Sequence, residues 1–386
     1  MSPGSAPHEN ARASLLRQRA NVLIVGAGPA GLGMARVLRD LAIPDIYVLE
    51  RKQIGASFRA WPQGMRLITP SFPGNAFGLT DLNAISFDSS PGFSLKREHP
   101  SGAEYAAYLD QAAQIFNLPV VTGVDVRAIE PDGDDILLYT NQGEMRARFV
   151  IWATGQFQYP DDGDVVGAEH GVHSSLVPRW ADHEGGDAMV IGGYESGIDA
   201  AIGLANAGKA VTVLSRDPSW SSNDKDPSIS LSPYTRQRLD VALRRKQITL
   251  VHEADILGLE RDIGSVRAMA VDGRSWTSTS RPILATGFMG GTSLIEDWLE
   301  FDTQGHPVLS AQDESTELPG LFLVGPEVRH GGQLFCFIYK FRQRFAVVAR
   351  TIAGRLGADT SALEAYRSHN MYLDDLSCCE VDNCVC

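Results

Sequence analysis

Residues 21–50 read NVLIVGAGPAGLGMARVLRDLAIPDIYVLE and contain the pattern that decides the fold. A short β-branched run is followed by a glycine-rich loop, a helical pattern over residues 32–41 and a second apolar run. Gly26, Gly28 and Gly31 occupy the positions at which a dinucleotide-binding loop needs a tight turn, close approach to a pyrophosphate and close helix–strand packing. Glu50 stands 24 residues after Gly26, where a carboxylate accepts hydrogen bonds from a ribose. The stretch therefore predicts a βαβ unit that binds a dinucleotide.

The same arrangement recurs in residues 188–216, AMVIGGYESGIDAAIGLANAGKAVTVLSR. Gly192 and Arg216 are again 24 residues apart, and a basic residue at the second position favours a ribose 2′-phosphate, hence NADPH over NADH. Tyr194 stands where the second glycine belongs. A Cβ at this position is expected to hold the pyrophosphate farther from the loop.

Three further segments complete the pattern. Ala-Thr-Gly triplets follow apolar runs at residues 153–155 and 285–287, and residues 321–326, LFLVGP, read as a strand running into a glycine. A helical stretch is predicted from about Gly332 to Gly354. The alternation of strands and helices predicts an α/β fold.

This order of motifs resembles the flavoproteins with two dinucleotide-binding domains, the thioredoxin-reductase-like and flavin-monooxygenase-like oxidoreductases. The resemblance covers roughly residues 21–355. We call residues 26–50 the first fingerprint and residues 192–216 the second. The resemblance implies that FAD binds the first fingerprint and NADPH the second. It also implies two Rossmann-like domains, with the NAD(P)H domain inserted in the FAD domain. The expected division is a flexible leader at 1–19, an FAD domain at 20–155 and 282–357, an NAD(P)H domain at 156–281 and a cysteine-rich tail at 358–386.

The expected cofactor-binding residues are Gly26, Gly28, Pro29, Ala30, Gly31, Glu50, Arg51, Ser57, Trp61, Val126, Ala153, Thr154, Gly155, Gly192, Gly193, Glu195, Ser196, Gly197, Arg216, Gly287, Gly325 and Gln333. By resemblance, Ser57 and Trp61 lie on a segment that crosses the flavin; the alternative is an ordinary loop with a buried aromatic. The helix after Gly325 is expected to begin near Gln333, with its N-terminus directed at the flavin pyrimidine.

Two details resemble the monooxygenase branch. Pro326 follows Gly325 where thioredoxin reductases have an aspartate that binds the ribityl chain, and proline offers neither a side-chain acceptor nor an N–H. His173-Ser174-Ser175 partly matches a Gly-x-x-x-His-Ser motif of flavin monooxygenases. The alternative for His173 is a structural role.

Four of the five cysteines, Cys378, Cys379, Cys384 and Cys386, fall within the last nine residues, and the fifth is Cys336. Cysteines so distributed cannot staple a fold, which predicts a reducing, cytoplasmic location. The vicinal pair Cys378-Cys379 resembles that of mercuric reductases, which implies that the four tail cysteines are catalytic. The chain from about residue 356 to 378 could extend ~70 Å and act as a swinging arm. A soft-metal site without redox chemistry, an inert acidic terminus, and an inert or electron-relaying Cys336 are the alternatives.

Composition narrows the partners. The 386 residues suggest two large domains, and a net charge of −13 (34 − 47) would repel nucleic acid and anionic membranes. No apolar run reaches the ~18–20 residues of a membrane span, and residues 1–20 lack the apolar core of a signal peptide. A small-molecule or small-protein disulfide or thiol substrate and a homodimer are expected from the resemblance.

Three functions therefore stand open. The first is an FAD enzyme that passes electrons from NADPH to a disulfide, or to a thiol-bound metal or metalloid, through the tail cysteines. The second is an NADPH-dependent flavin monooxygenase. The third is a soft-metal-binding protein on a flavoprotein fold.

Overall fold

The computed structural model describes residues 19–73, 79–217, 219–222, 224, 226 and 228–377. These residues form two compact units. The first contains the described residues up to Arg59, the described part of Pro70–Gln156 and the described residues from Gly290 onward. The second contains Ala60–Thr69 and the described part of Phe157–Met289. Each unit contains a sheet with parallel strands and helices packed on it, so the prediction of an α/β fold is confirmed.

The strands, in chain order, are β1 Ala20–Val25, β2 Ile46–Glu50, β3 Val120–Thr122, β4 Val126–Asp132, β5 Asp135–Thr140, β6 Gly143–Trp152, β7 Val172–His173, β8 Asp187–Ile191, β9 Ala210–Leu214, β10 Ile248–Val251, β11 Ile256–Asp262, β12 Ser265–Ala270, β13 Ser275–Ser278, β14 Ile283–Leu284, β15 Glu300–Phe301, β16 Pro307–Val308, β17 Leu321–Leu323, β18 Arg329–His330 and β19 Gln333–Leu334. The α-helices are α1 Pro29–Asp40, α2 Ala56–Arg59, α3 Pro91–Leu95, α4 Gly102–Ile115, α5 Glu195–Asn206, α6 Pro233–Arg244, α7 Ile338–Phe341, α8 Phe345–Leu356 and α9 Leu363–Ser368. No helix in this described part of the chain is both long and apolar enough to cross a membrane.

The sheet of the first unit has the order β3-β2-β1-β6-β5-β4. Strands β1, β2, β3 and β6 run parallel, whereas β4, β5 and β6 form an antiparallel meander. The long β6 pairs with β5 along its first part and with β17 along Val150–Trp152. The residues of β1 and the second half of β6 are almost all buried, which explains their continuous apolar sequence. This pairing brings the carboxyl ends of β1, β6 and β17 to one sheet edge.

The second unit contains a parallel sheet of order β10-β9-β8-β14-β7 and a separate antiparallel sheet of β11, β12 and β13. The helix α5 follows β8 and buries an alanine-rich face, including Ala200, Ala201 and Leu204, in the core of this unit. Its spacing of small residues lets the helix pack closely against β8 and β9. The second fingerprint therefore forms the βαβ unit that the sequence predicts.

Two predicted boundaries are wrong. Strand β14 pairs with β7 and β8, so residues 282–289 belong to the second unit and not to the FAD domain. Residues 60–69 also belong to the second unit, where the Gln63 N–H donates to the Pro178 carbonyl at 2.8 Å. Both segments lie where the chain passes from one unit to the other, and composition does not mark such passages.

The predicted tail at 358–386 is also wrong in its first half. Helix α9 buries Leu363 and Tyr366, and the Tyr366 hydroxyl donates to Asp40 on α1 at 2.6 Å. Met371 is buried, and the Leu373 N–H donates to the Gln343 carbonyl at 2.9 Å. Residues 358–374 are therefore a packed part of the first unit.

The helix predicted to begin near Gly332 begins at Ile338 instead. Residues 329–334 form the hairpin β18–β19, whose turn is Gly331-Gly332, with Gly331 at a φ of +55°. A two-residue turn of this kind favours residues that tolerate positive φ. Phe337 is still extended, so the apolar run after the hairpin becomes helical only from Ile338.

Candidate cofactor-binding sites

The first glycine loop contains two glycines that the fold itself requires. Gly26 has a φ of +107°, and a Cβ there would collide with the carbonyl oxygen of Ala153. A Cβ on Gly31 would collide with the carbonyl of Gly26. These contacts close the turn between β1 and α1 and hold it against the end of β6.

Gly28 differs from both. Its backbone is extended, with a φ of −84°, and a Cβ there would meet no protein atom within 4 Å. The internal packing of the described chain therefore does not require a glycine at this position, whereas a ligand lying against the backbone would. Gly28 also caps α1 without a side-chain hydrogen bond, and the first turn of this 12-residue helix contains no acid. A loop that is open at the positive end of a helix fits the diphosphate of FAD.

Glu50 connects the glycine loop to the end of β2. Its Oε2 accepts a hydrogen bond from the Ala27 N–H at 3.0 Å, and its Oε1 accepts one from the Lys52 N–H at 2.7 Å. Each carboxylate oxygen has a further lone pair for a ribose hydroxyl. The carboxylate therefore positions the loop and can also bind the ribose that the sequence predicts for it.

Three other predicted residues, Ser57, Arg51 and Val126, belong to the same unit as this loop. Ser57 lies on α2, which begins just after the Gly55 N–H donates to the Ala27 carbonyl at 3.0 Å. Arg51 lies 3.9 Å from Asp125, and Val126 is buried at the start of β4. The Val124 N–H donates to the Glu50 carbonyl at 3.0 Å, which places the segment before Val126 beside the end of β2.

The ends of β6 and β17 complete this edge. The Thr154 hydroxyl donates to the Gly291 carbonyl at 3.0 Å, and the Trp152 indole donates to the same oxygen at 2.6 Å. A Cβ built on Gly325 would stand 3.5 Å from the Ala30 side chain, which is ordinary contact. The structure thus brings Ala153, Thr154 and Gly325 to the first glycine loop, whereas the Gly155 carbonyl lies beside Gly291.

Glu327 is a residue of this edge that the sequence does not reveal. Its Oε2 accepts a hydrogen bond from the Gly291 N–H at 3.0 Å. Burial raises the pKa of the Glu327 carboxyl to about 7, although hydrogen bonds from Gly291 and Thr292 favour the charged form. The only sequence signal is an acid two residues after the glycine that ends β17, and no known spacing assigns it a role.

Trp61 and Gln333, two further predicted cofactor-binding residues, make contacts within their own units. Trp61 belongs to the second unit, where its ring lies 6.2 Å from the ring of Phe157. Gln333 lies in β19, and its amide donates to the Leu334 carbonyl at 3.2 Å, so it does not begin a helix. The prediction for Gln333 fails because the two glycines before it form a hairpin turn.

The second glycine loop repeats the contacts of the first. Gly192 has a φ of +111°, and a Cβ there would collide with the Ala285 carbonyl, as Gly26 does with Ala153. A Cβ on Gly197 would collide with the Gly192 carbonyl. Tyr194 caps α5 with a φ of −100°, close to the value at Gly28, and packs against the core of the second unit. A side chain at this position therefore needs no distortion of the loop.

Glu195 links two helices of the second unit. Its carboxylate accepts hydrogen bonds from the Ser232 N–H and the Thr235 hydroxyl at the start of α6. Burial raises the pKa of this carboxyl, while those two donors favour its charged form. Glu195 therefore fixes the start of α6 to α5 through both of its carboxylate oxygens.

Other predicted residues of the second loop stay accessible or pack locally. Ser196 is partly exposed in the first turn of α5. A Cβ on Gly193 would collide with the ring of Trp220, so this glycine makes room for that ring. The Arg216 side chain is 72% exposed and pairs with Asp217 at 2.9 Å. An exposed guanidinium at the end of β9 remains available to a phosphate group.

His173 is held on both ring nitrogens. Nε2 lies 2.9 Å from the Gly287 carbonyl, and Nδ1 lies 2.7 Å from the Ser175 hydroxyl. Burial lowers the pKa of the imidazole, so Nε2 carries the proton that Gly287 accepts and Nδ1 accepts from Ser175. Gly287, at a φ of +105°, is thereby fixed beyond β14. This geometry supports the structural alternative for His173.

The four predicted catalytic cysteines lie outside the described residues. Cys336 is within them, partly exposed and not in a disulfide. A search of the described residues finds no group of three or more His, Cys, Asp or Glu side chains arranged to hold a metal ion.

Residues 23–325 match the model of the pyridine nucleotide-disulphide oxidoreductase family. The match spans well over half of the chain, so the chain belongs to this family. Membership confirms the prediction of FAD and NAD(P)H as cofactors, and the loops at Gly28 and Gly192 are the parts of the chain that fit them.

Known proteins resemble the chain at low identity. An uncharacterized CzcO-like oxidoreductase of Geobacillus kaustophilus is 25% identical over 335 residues, which cover 79% of this chain and 90% of the relative. The fold is similar to that of the bacillithiol disulfide reductase Bdr of Staphylococcus aureus, with a TM-score of 0.71 at 20% identity over 88% of this chain and 99% of the other. It is equally similar to a flavin-containing monooxygenase of Stenotrophomonas maltophilia, with a TM-score of 0.70 at 20% identity and the same coverage.

Proposed function

We propose that this FAD-dependent pyridine nucleotide oxidoreductase uses NADPH to reduce a disulfide, or a thiol-bound metal or metalloid, through Cys378, Cys379, Cys384 and Cys386. The observation that carries this proposal is the attachment of the segment that precedes these cysteines. They follow directly on a segment that is packed on the unit that fits FAD.

The attachment involves both backbone and charge. The Leu373 N–H donates to the Gln343 carbonyl, and Arg344 donates to the Leu373 carbonyl. Asp374 pairs with Arg367 at 2.8 Å. The expectation of an arm that is free from residue 356 onward is therefore wrong. Cys378 follows Asp374 by four residues, a contour of at most ~14 Å.

The chemistry divides between cofactors and chain. When bound, FAD accepts a hydride from the nicotinamide and passes two electrons onward. The Gly28 loop and Glu50 hold its diphosphate and ribose, and Arg216 binds the 2′-phosphate of NADPH. A cysteine thiolate then attacks the substrate disulfide and releases the first substrate thiol. The neighbouring thiolate attacks the mixed disulfide and releases the second substrate thiol. The Cys–Cys disulfide that remains is returned to two thiols by the next two electrons and two protons.

A flavin monooxygenase is the second candidate. Pro326 in place of an aspartate favours it, and among the described residues Cys336 is the sole cysteine. A soft-metal-binding role for the tail is the third. The proposal further includes a cytoplasmic location, a homodimer and a small-molecule or small-protein disulfide as substrate.

The deciding experiment reduces the FAD-loaded protein anaerobically with NADPH and then adds either a disulfide or O₂. Rapid reoxidation by the disulfide, lost when all four tail cysteines are replaced by serine, is expected. Cys336→Ser is the matched control and should reoxidise like the wild type. Reoxidation by O₂ alone, with the same rate in the four-serine variant, would establish the monooxygenase alternative instead.

A further inference from the structure

A cavity of about 430 Å³ lies in the first unit between the hairpins β15–β16 and β18–β19. It shares no residue with the glycine loops, Glu50 or the Ala-Thr-Gly triplets. Its lining residues are Asp302, Gln304, His306, Pro307, Val308, Leu309, Arg329, His330, Gly331, Gly332 and Leu334. One part of this wall is charged or polar and the other is aliphatic.

Arg329 is the arginine that lines this cavity. Within the part of the chain that the structure describes, its guanidinium has no hydrogen-bond or ion-pair partner. It follows the end of β17 by only a few residues, on a strand whose backbone is fixed by pairing with Leu334. A partly buried guanidinium without a partner is a ready site for a bidentate anion such as a carboxylate.

His330, the next residue, is oriented by a fully buried carboxylate. Its Nε2 bonds to Asp313, which also accepts from Arg344 at 2.9 and 3.0 Å. The His330 Nε2–H therefore donates to Asp313, and this bond fixes the plane of the ring. Nδ1, which has no partner among the described residues, is left as the polar atom that can meet a ligand.

Asp302 is the one acidic residue that lines the cavity, and its carboxylate already accepts hydrogen bonds from neighbouring residues. Asp302 accepts hydrogen bonds from the backbone N–H groups of Gln304 and His306, and the His306 ring lies 3.3 Å from it. These donors hold the pKa of Asp302 below its usual value, so it stays charged but paired. Pro307, Val308 and Leu334 form the aliphatic part. The cavity thus combines an unpaired cation with a short apolar surface.

We propose that this cavity binds the carboxylate and short alkyl chain of an aliphatic disulfide substrate, with Arg329 and His330 as the recognition residues. The inference rests on the proposed disulfide reduction, because it names the chemical class of that substrate. A bidentate, charge-assisted contact contributes roughly 10- to 100-fold in affinity.

Binding can be tested without turnover. The oxidised, FAD-loaded protein is titrated by calorimetry with 3,3′-thiodipropionate, a thioether that cannot be reduced, and separately with inorganic phosphate. Arg329→Gln should weaken thiodipropionate binding by about 10- to 100-fold. Arg261→Gln, at an exposed arginine of β11 without a partner among the described residues, should leave it unchanged. Equal binding by wild type and Arg329→Gln, or phosphate binding as tight as that of the dicarboxylate, would overturn the proposal.

A second arm separates this inference from the proposed function. Turnover of 3,3′-dithiodipropionate is compared with that of bis(2-hydroxyethyl) disulfide, which lacks carboxylates. Arg329→Gln should lower kcat/KM for the first disulfide and leave the second unchanged. Turnover of both disulfides with an unchanged ratio would overturn the cavity assignment and retain the reductase. Turnover of neither, with Arg329-dependent thiodipropionate binding, would support the anion site and overturn the reductase.

Discussion

Gly28 is the glycine whose surroundings point most directly to a bound ligand. A Cβ there meets no protein atom, whereas one on Gly26 or Gly31 collides with a carbonyl. Gly28→Val should therefore fold normally but bind FAD at least about tenfold more weakly, a loss of ~1.4 kcal/mol or more. The ratio of flavin to protein absorbance after purification and far-ultraviolet circular dichroism measure the two effects. Gly186→Val is the control, because a Cβ at Gly186 also meets no atom within 4 Å. Full flavin content in Gly28→Val would refute the assignment of FAD to the first fingerprint.

Arg216 decides the choice of nicotinamide in the proposed mechanism. Because its side chain is exposed and shared with Asp217, its contact with a 2′-phosphate is expected at the lower end of the usual ~10- to 100-fold range. Arg216→Ala should reduce the ratio of kcat/KM for NADPH over NADH by about tenfold. Asp217→Asn frees the guanidinium and should raise the same ratio. A wild-type preference for NADH would rule out this role.

Glu327 predicts a pH dependence of stability. Burial raises its pKa to about 7, above the 4.5 of an exposed glutamate, so the folded protein holds a proton that the unfolded chain releases. The stability from this group is complete at low pH and is lost as the pH rises toward 7. Glu327→Gln does not titrate and should exceed the wild type at pH 8 by on the order of 2 kcal/mol, but not at pH 5. Urea unfolding of the FAD-loaded proteins at both pH values measures this difference, and an equal difference at both would contradict it.

Elements whose structure depends on contacts between residues near in sequence are the ones that the sequence predicts. The loop from Gly26 to Gly31 closes on itself within six residues, so its glycines reveal both structure and ligand. A glycine pair followed by an apolar run is compatible with a helix start and with a hairpin. The sequence therefore predicts a helix where the structure has the hairpin β18–β19. Asp313 and His330 meet across 17 residues, and no periodicity relates them.

Glu195 illustrates a different limit. Its place in the second fingerprint suggested a cofactor contact, but its partners Ser232 and Thr235 lie 37 and 40 residues away. Which of two nearby donors a carboxylate takes depends on the packing of α5 against α6, which the motif does not encode. The motif therefore predicts the backbone of the loop, whereas the partners of this side chain follow from tertiary packing.

The C-terminal segment gives a prediction at the same scale. Removing residues 376–386 keeps α9, the Asp374 ion pair and the Leu373 hydrogen bond. FAD content and anaerobic flavin reduction by NADPH should stay within about twofold of the wild type, whereas turnover of the disulfide should be lost. Stopped-flow absorbance and steady-state assays measure the two steps. Truncation at residue 358 would also remove Tyr366 from Asp40 and is expected to lower stability, so it is not an equivalent variant.

Over the whole molecule, the same contact between a glycine loop and an Ala-Thr-Gly triplet occurs in both units, with different segments inserted between loop and triplet. Gly26 contacts Ala153, 127 residues later (153 − 26), and Gly192 contacts Ala285, 93 residues later (285 − 192). The β-meander of the first unit is continuous with its sheet, whereas β11, β12 and β13 form a separate sheet in the second. The insertions therefore vary while the carboxyl edges that meet the nucleotides stay the same.

The Arg344 guanidinium joins distant parts of the first unit, since it donates to Asp313, to the Ala311 carbonyl and to the Leu373 carbonyl. Amide protons near these acceptors should therefore exchange with solvent deuterium through one shared opening rather than independently. Arg344→Gln should accelerate exchange at both the Leu373 and Leu323 amides, which are bonded to Gln343 and Asp313, and leave β1 protected. Faster exchange at Leu373 alone would show that the segment before the cysteines opens on its own. Shared exchange would make the substrate cavity and the cysteine segment a single cooperative unit.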